Sequence, residues 1–172
     1  MSEGTVFWVT GLAAAGKSTI ARLLFERIRR RSAASVLLDG DTLREVFGND
    51  LGYAREDRIR SAMRNARLCK LLADQGIDVV CATISLFREC HEWNRKHIAR
   101  YREIYVRASQ DTLVRRDPKG LYARALRGEA TDVAGVDLKV DEPTNPDAVV
   151  DNDGAAAPEI LVDNLARQFG IG

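Results

Sequence analysis

The apolar run Val6 to Thr10 (VFWVT) stops at Gly11 and leads directly into Gly11-Leu-Ala-Ala-Ala-Gly16-Lys17-Ser18. After it, Ile20, Leu23, Leu24 and Ile28 recur at helical spacing as far as Arg31. A strand, a glycine-bounded loop and a helix in that order leave few folds open. The loop fits G-x-x-x-x-G-K-[ST], and its place between strand and helix is the context in which successive backbone N–H groups wrap a phosphate at the positive end of a helix. On this reading Gly11, Ala13, Ala14, Ala15, Gly16, Lys17, Ser18 and Thr19 surround the phosphates of ATP, with Lys17 on the β and γ oxygens and the Ser18 hydroxyl on Mg²⁺. The alanines are unusual here, because alanine tolerates positive φ less well than glycine.

Further along, Val36 to Leu38 forms a second strand that ends at Asp39-Gly40-Asp41. A helical pattern through Met63, Ala66, Cys69 and Leu72 follows a polar stretch from Arg55 and closes at Gln75-Gly76. Ile77 to Ile84 is the most apolar strand and is expected at the centre of the sheet. Helix 88–99, strand Glu103 to Val106, helix Gln110 to Arg116, strand Ala148 to Val150 and helix Pro158 to Phe169 complete the chain. Strands without in-out polarity alternating with helices predict an α/β fold: a P-loop NTPase-type three-layer α/β/α domain over 1–172, with a five-stranded parallel sheet and ligands beyond the carboxyl ends of the strands. The segment 117–146 is charged and holds Gly120, Gly128, Gly135, Pro118, Pro143 and Pro146, which predicts a mobile lid over the site.

Twenty-six basic against 25 acidic side chains give a net charge of +1, so no global field recruits nucleic acid or an anionic membrane. Any anion site must be local. Cys69, Cys81 and Cys90 are odd in number and lack metal-ligand spacing, and are expected as reduced thiols. His91 and His97, six apart, are expected in packing or surface roles, and the basic run Arg27 to Arg31 as a solvated helix end favoured by the helix dipole. Neither a signal peptide nor a spanning helix is read in the chain, and a cytoplasmic location is the expectation.

Asp39 and Asp41 end the second strand, where alternation points one carboxylate toward the phosphate loop and the other elsewhere. Such a carboxylate holds a metal through water or accepts the proton of an attacking hydroxyl. LDGDTLR (38–44), NDLGY (49–53), DR (57–58), ATIS (82–85), RDPKGLY (116–122) and GVD (135–137) stand in the order seen in adenylylsulfate (APS) kinases, and over nearly its whole length the chain resembles that family. The resemblance implies a commonly dimeric P-loop kinase that moves the γ-phosphoryl group of MgATP to the ribose 3′-hydroxyl of adenosine 5′-phosphosulfate, a small-molecule nucleotide acceptor. It implies Asp41 as the base or metal-organising carboxylate, sharing the metal with Ser18, and Arg44 and Arg58 as clamps on the acceptor's phosphosulfate. Tyr53 stands against the acceptor's base where the family usually has phenylalanine. Asp39, Ser61, Ile84 and Ser85 fall on the acceptor side, Ser85 matching the serine of the family's ISP segment. Lys119, Gly120 and Leu121 match the lid, with Lys119 in a catalytic role, and Arg116 falls on the nucleotide side.

The departures gather on the acceptor side. Ser61 replaces the family's usual Asn, Leu86 its ISP proline, and Asp132-Val133-Ala134-Gly135-Val136 its N-F-T-G-I segment, so a second stacking aromatic is lost. One ring instead of two forfeits ~1–3 kcal/mol of stacking on a purine, enough to change substrates. The chain is similar to a divergent branch that includes kinases acting on cytidine diphosphoramidate, a nucleotide used in capsule modification, and a pyrimidine fits a pocket with one ring removed. APS leads by family weight and cytidine diphosphoramidate is the alternative. A regulatory module that holds ATP without transfer is a third class, which would lack the lysine or the base; Lys17 and Asp41 are both present.

Overall fold

The computed structural model describes residues 3–171. Among them the elements run β1 (Val6–Thr10), α1 (Lys17–Arg31), β2 (Ser35–Asp39), α2 (Gly40–Val46), α3 (Arg55–Asp74), β3 (Asp78–Thr83), α4 (Arg88–His97), β4 (Tyr101–Arg107), α5 (Gln110–Arg116), α6 (Leu121–Leu126), β5 (Ala148–Asp151) and α7 (Pro158–Gln168). Five strands pair in parallel in the order β2-β3-β1-β4-β5. The α/β fold with an all-parallel five-stranded sheet is the one the sequence predicts.

Every residue of β1 is buried, and alternation divides them between the two faces. Phe7 and Val9 pack with Ile20, Leu24, Val162 and Leu165 of α1 and α7, while Val6 and Trp8 pack with Ala62, Ala66 and Cys69 of α3 and with Cys90 of α4. Two helical layers thus share one sheet. Trp8 is fully buried and its indole N–H donates to Ser85 Oγ at 2.8 Å, so Trp8→Ala costs about 3–5 kcal/mol of packing and leaves that hydroxyl without its donor.

Three features differ from expectation. The middle strand is β1, and β3 is next to it, with Ile77 and Ile84 outside its bounds. Both strands are flanked on both edges and covered on both faces, so their apolar content is alike and only the crossover order distinguishes them. Asp39-Gly40-Asp41, where the second strand ends, also starts a helix that the sequence reading lacks, α2, because Asp39 Oδ1 accepts from the Asp41 N–H at 3.0 Å and caps it. The segment 117–146 contains α6 and an isolated bridge between Ala134 and Leu138, and it buries Tyr122, Val133 and Ala134 in the two cores. It is therefore anchored at several points. All three cysteines are free and buried. Among the described residues no helix is long and apolar enough to cross a membrane.

Candidate active site

A cleft of about 480 Å³ lies beyond the carboxyl ends of β1, β2 and β3. The phosphate loop forms one wall. It is bent by Gly11, Ala14 at φ 61° and Gly16 at φ 97°, so one of the unusual alanines does take the left-handed conformation, at a cost of about 1–2 kcal/mol that the surrounding contacts must offset. Gly11 is required for another reason: a Cβ there would lie 2.1 Å from the carbonyl oxygen of Val106 on β4. Helix α1 starts at Lys17 with no acidic residue in its first turn and no side-chain cap, which leaves its first N–H groups facing the cleft for an anion.

Three carbonyls of the loop accept from side chains. Lys17 Nζ donates to Leu12 O at 2.7 Å, the Tyr122 hydroxyl to Ala13 O at 2.8 Å, and Asn152 Nδ2 to Ala15 O at 2.8 Å. Burial lowers the Lys17 pKa to about 8, against the pull of the Asp41 and Asp39 carboxylates, which raise it. An anion in the loop would supply the negative charge this ammonium lacks.

The two aspartates separate, but not by alternation: two residues apart on one strand they would share a face, and it is the start of α2 at Gly40 that parts them. Asp39, on the end of β2, accepts from Ser18 Oγ through Oδ2 at 2.8 Å, and Asp41, in the first turn of α2, pairs with Lys119 Nζ at 2.9 Å. It is Asp39, then, that meets Ser18, while Asp41 faces Lys119 of the segment 117–146. Both members of the Asp41–Lys119 pair are 76% exposed, and the carboxylate raises the lysine pKa. Among the described residues no group of three or more His, Cys, Asp or Glu is placed to hold a metal, so an ion here would depend on Ser18, Asp39 or Asp41, water and the nucleotide.

Opposite the loop, Tyr53 lies 59% exposed with the Arg44 guanidinium 4.4 Å and the Arg58 guanidinium 5.3 Å from its ring centre. Arg44 donates to the carbonyls of Leu51 and Gly52, and Arg58 to those of Tyr53 and Asp132, each at 2.8 Å. Burial and the neighbouring Arg44 lower the Arg58 pKa. Two guanidiniums are thus held side by side by neutral oxygens, which is an arrangement that a di-anionic ligand would relieve. Ser61, Ile84, Leu121 and Val133 also line this side.

Most of the residues singled out in the sequence line the cleft; of the seven that do not, Gly11, Ala15 and Gly16 belong to the loop that walls it, and four lie elsewhere. Ser85 is fully buried, with its hydroxyl donating to Thr10 Oγ1 at 3.1 Å, accepting from Trp8, and its carbonyl 2.7 Å from His91 Nε2. It braces the ends of β1 and α4 and does not line the cleft. Gly120, at φ 62°, starts α6, Thr19 is exposed in the first turn of α1, and Arg116 ends α5 beside Gly154. His97 stacks on Trp93 with ring centres 4.6 Å apart, a packing role. Two contributors escaped the sequence reading. Tyr122 ends the RDPKGLY stretch with no role that the sequence assigns it, and Asn152 carries no local signal, since it acts on a loop 137 residues away.

A family model described as adenylylsulphate kinase matches residues 3–151. The chain belongs to this family. It is 42% identical over 166 residues to a Campylobacter jejuni protein named cytidine diphosphoramidate kinase, covering 96% of each chain. It is 36% identical over 170 residues to a probable adenylyl-sulfate kinase of Pyrococcus abyssi, covering 98% of each. Among solved structures, the Mycobacterium tuberculosis APS kinase in complex with AMPPNP and APS superposes with a TM-score of 0.90 at 31% identity over 99% of both chains. The family comprises phosphotransferases with a hydroxyl acceptor and ATP as a substrate, so this chain is a nucleotide-binding kinase.

Proposed function

We propose that this kinase transfers the γ-phosphoryl group of MgATP to the ribose 3′-hydroxyl of cytidine diphosphoramidate. The observation that carries the choice of acceptor is the one aromatic ring that lines the cleft, the exposed Tyr53, with the aliphatic Val133 as the lining residue where the family has a second ring. One ring suffices for a pyrimidine and leaves a purine with half a sandwich. The 42% identity to the Campylobacter jejuni cytidine diphosphoramidate kinase supports the same reading.

In this reading the loop N–H groups and Lys17 receive the β- and γ-phosphates, and Arg44 and Arg58 take the acceptor's anionic 5′ chain. Ser18 Oγ and Asp39 Oδ2, 2.8 Å apart, form a pair of hard oxygen donors that fits Mg²⁺, with Asp39 acting directly or through water. Bound there, the ion would neutralise charge on the β- and γ-oxygens. Asp41 accepts the proton of the 3′-hydroxyl as its oxygen bonds to the γ-phosphorus. The bond from that phosphorus to the β,γ-bridging oxygen breaks, ADP leaves with the electron pair, and Asp41 returns the proton to solvent. Lys119, paired with Asp41 at 2.9 Å, exchanges this partner for the γ-phosphoryl oxygens and so frees the base.

APS is the second reading, favoured by the family match over 3–151 and by the likeness to a structure that holds APS. ADP release by the purified protein with MgATP and each nucleotide in turn separates the two. Turnover of cytidine diphosphoramidate at least about tenfold more efficient than that of APS is expected from the loss of one stacking ring. The reverse ratio assigns APS, and turnover of neither overturns both.

A further inference from the structure

We propose that Asn152 is a positioning residue for the phosphate loop, orienting the peptide group whose N–H receives the donor nucleotide's phosphate. The proposal rests on the reading that this loop holds those phosphates. Asn152 directly follows β5, the strand at the far edge of the sheet. Its own N–H donates to Arg107 O at 2.9 Å, extending the β4–β5 ladder by one residue, so its backbone is fixed by the sheet rather than by the loop it serves. The side chain is 7% exposed, and Nδ2 donates to the carbonyl of Ala15 at 2.8 Å.

That carbonyl and the N–H of Gly16 belong to one planar peptide unit and point in opposite directions. Holding the oxygen from behind fixes where the N–H points in front. The need for an outside hold is local. Gly16 sits at φ 97° and Ala14, two residues before it, at φ 61°, and a glycine so close to a strained alanine has other conformations open to it once the loop is released. The fit is also close: a Cβ on Gly16 would lie 2.3 Å from Asn152 Nδ2, so the amide fills the space behind the loop. A buried amide that both packs against the peptide and donates to it sets the loop's geometry before the nucleotide arrives, which lowers the ordering cost of binding.

The test compares wild type with Asn152→Ala, the near-isosteric Asn152→Asp, and Lys17→Ala. Binding of magnesium-AMPPNP is measured at equilibrium, the KM of each substrate is measured in turnover, and thermal melting serves as a fold control. Asn152→Ala is expected to weaken AMPPNP binding and raise the KM for ATP about tenfold, with the acceptor KM within about twofold of wild type. Asn152→Asp keeps the shape but loses the donor and sets a carboxylate behind the loop, and is expected to weaken AMPPNP binding by about a further tenfold. Variants that lower the melting temperature while binding AMPPNP as wild type does, or that shift both substrates alike, would show a structural peg and overturn the inference. Lys17→Ala separates the two levels. Loss of AMPPNP binding in Lys17→Ala but not in the Asn152 variants sinks this inference alone. Full binding by Lys17→Ala, or none by wild type, sinks the reading of the loop and this inference with it.

Discussion

At the donor end of the cleft the carbonyls of Leu12, Ala13 and Ala15 each accept from a side chain, and the loop is packed against β1, α1 and the lid. At the acceptor end Tyr53, Asp41 and Lys119 are exposed, and the arginines hold only backbone carbonyls, Arg44 those of Leu51 and Gly52 and Arg58 those of Tyr53 and Asp132. The first arrangement is complete before any ligand arrives, while the second keeps its charged groups on partners that a ligand would replace. The contrast matches the chemistry. Phosphoryl transfer from ATP asks for one fixed geometry of donors around the β- and γ-phosphates, whereas the acceptor can change as long as a hydroxyl arrives in line. It also accounts for where the sequence departs from its family, because residues that grip no part of the fixed loop are free to vary.

Several substitutions would break or sharpen that contrast. The largest effects are expected at the two charged groups that face the reaction. Lys17→Ala should lower kcat by about 10²–10³-fold, and Asp41→Asn by about 10²–10⁴-fold with the KM for ATP little changed. An Asp41→Asn enzyme that turns over normally in a coupled ADP assay would remove the base from the account. Next comes Tyr53→Ala, expected to raise the acceptor KM about 10–100-fold while sparing ATP. Equal changes in both KM values would mean that the two halves are not separable.

The pH response separates them by charge. Lys17 is protonated below about 8, so affinity for an ATP analogue should fall by about tenfold per pH unit once the pH rises through that value, until the nucleotide-bound lysine itself titrates. The unliganded fold responds with the opposite sign. Between about 8 and the unfolded value near 10.5 the unfolded chain binds the extra proton, so this group's contribution to stability rises with pH over that window. Titration of analogue binding by fluorescence, with melting of the free protein alongside, checks both signs. The smallest effect is expected for Tyr122→Phe, which removes one hydrogen bond to Ala13 O and should raise the KM for ATP about fivefold.

The donor end was legible because its information is local: strand, glycines, lysine and helix are contiguous from Val6 to Arg31, and the sheet follows from alternation. What escaped depends on contacts between distant segments. Asn152 carries no motif, and only the placement of β5 two strands from β1 brings it behind the loop. Ser85 matches the serine of the family's ISP segment, which puts it on the acceptor side by resemblance, but the indole of Trp8 and the hydroxyl of Thr10 hold it in the layer beneath. Helix α2 is seven residues long and starts at a glycine, too short for an apolar period to show, and its start depends on the Asp39 cap. The pairing of Asp39 with Ser18 and of Asp41 with Lys119 follows from that cap, since the helix turns the second carboxylate away from the loop.

The most direct test is a crystal structure of the protein with magnesium-AMPPNP and cytidine diphosphoramidate bound together. The account predicts phosphates on the amides around Gly16 and Lys17, Arg44 and Arg58 on the acceptor's 5′ chain, and the ribose 3′-hydroxyl about 3 Å from Asp41 and in line with the γ-phosphorus. A nucleotide seated away from Lys17, or an acceptor whose 3′-hydroxyl points away from Asp41, would contradict it.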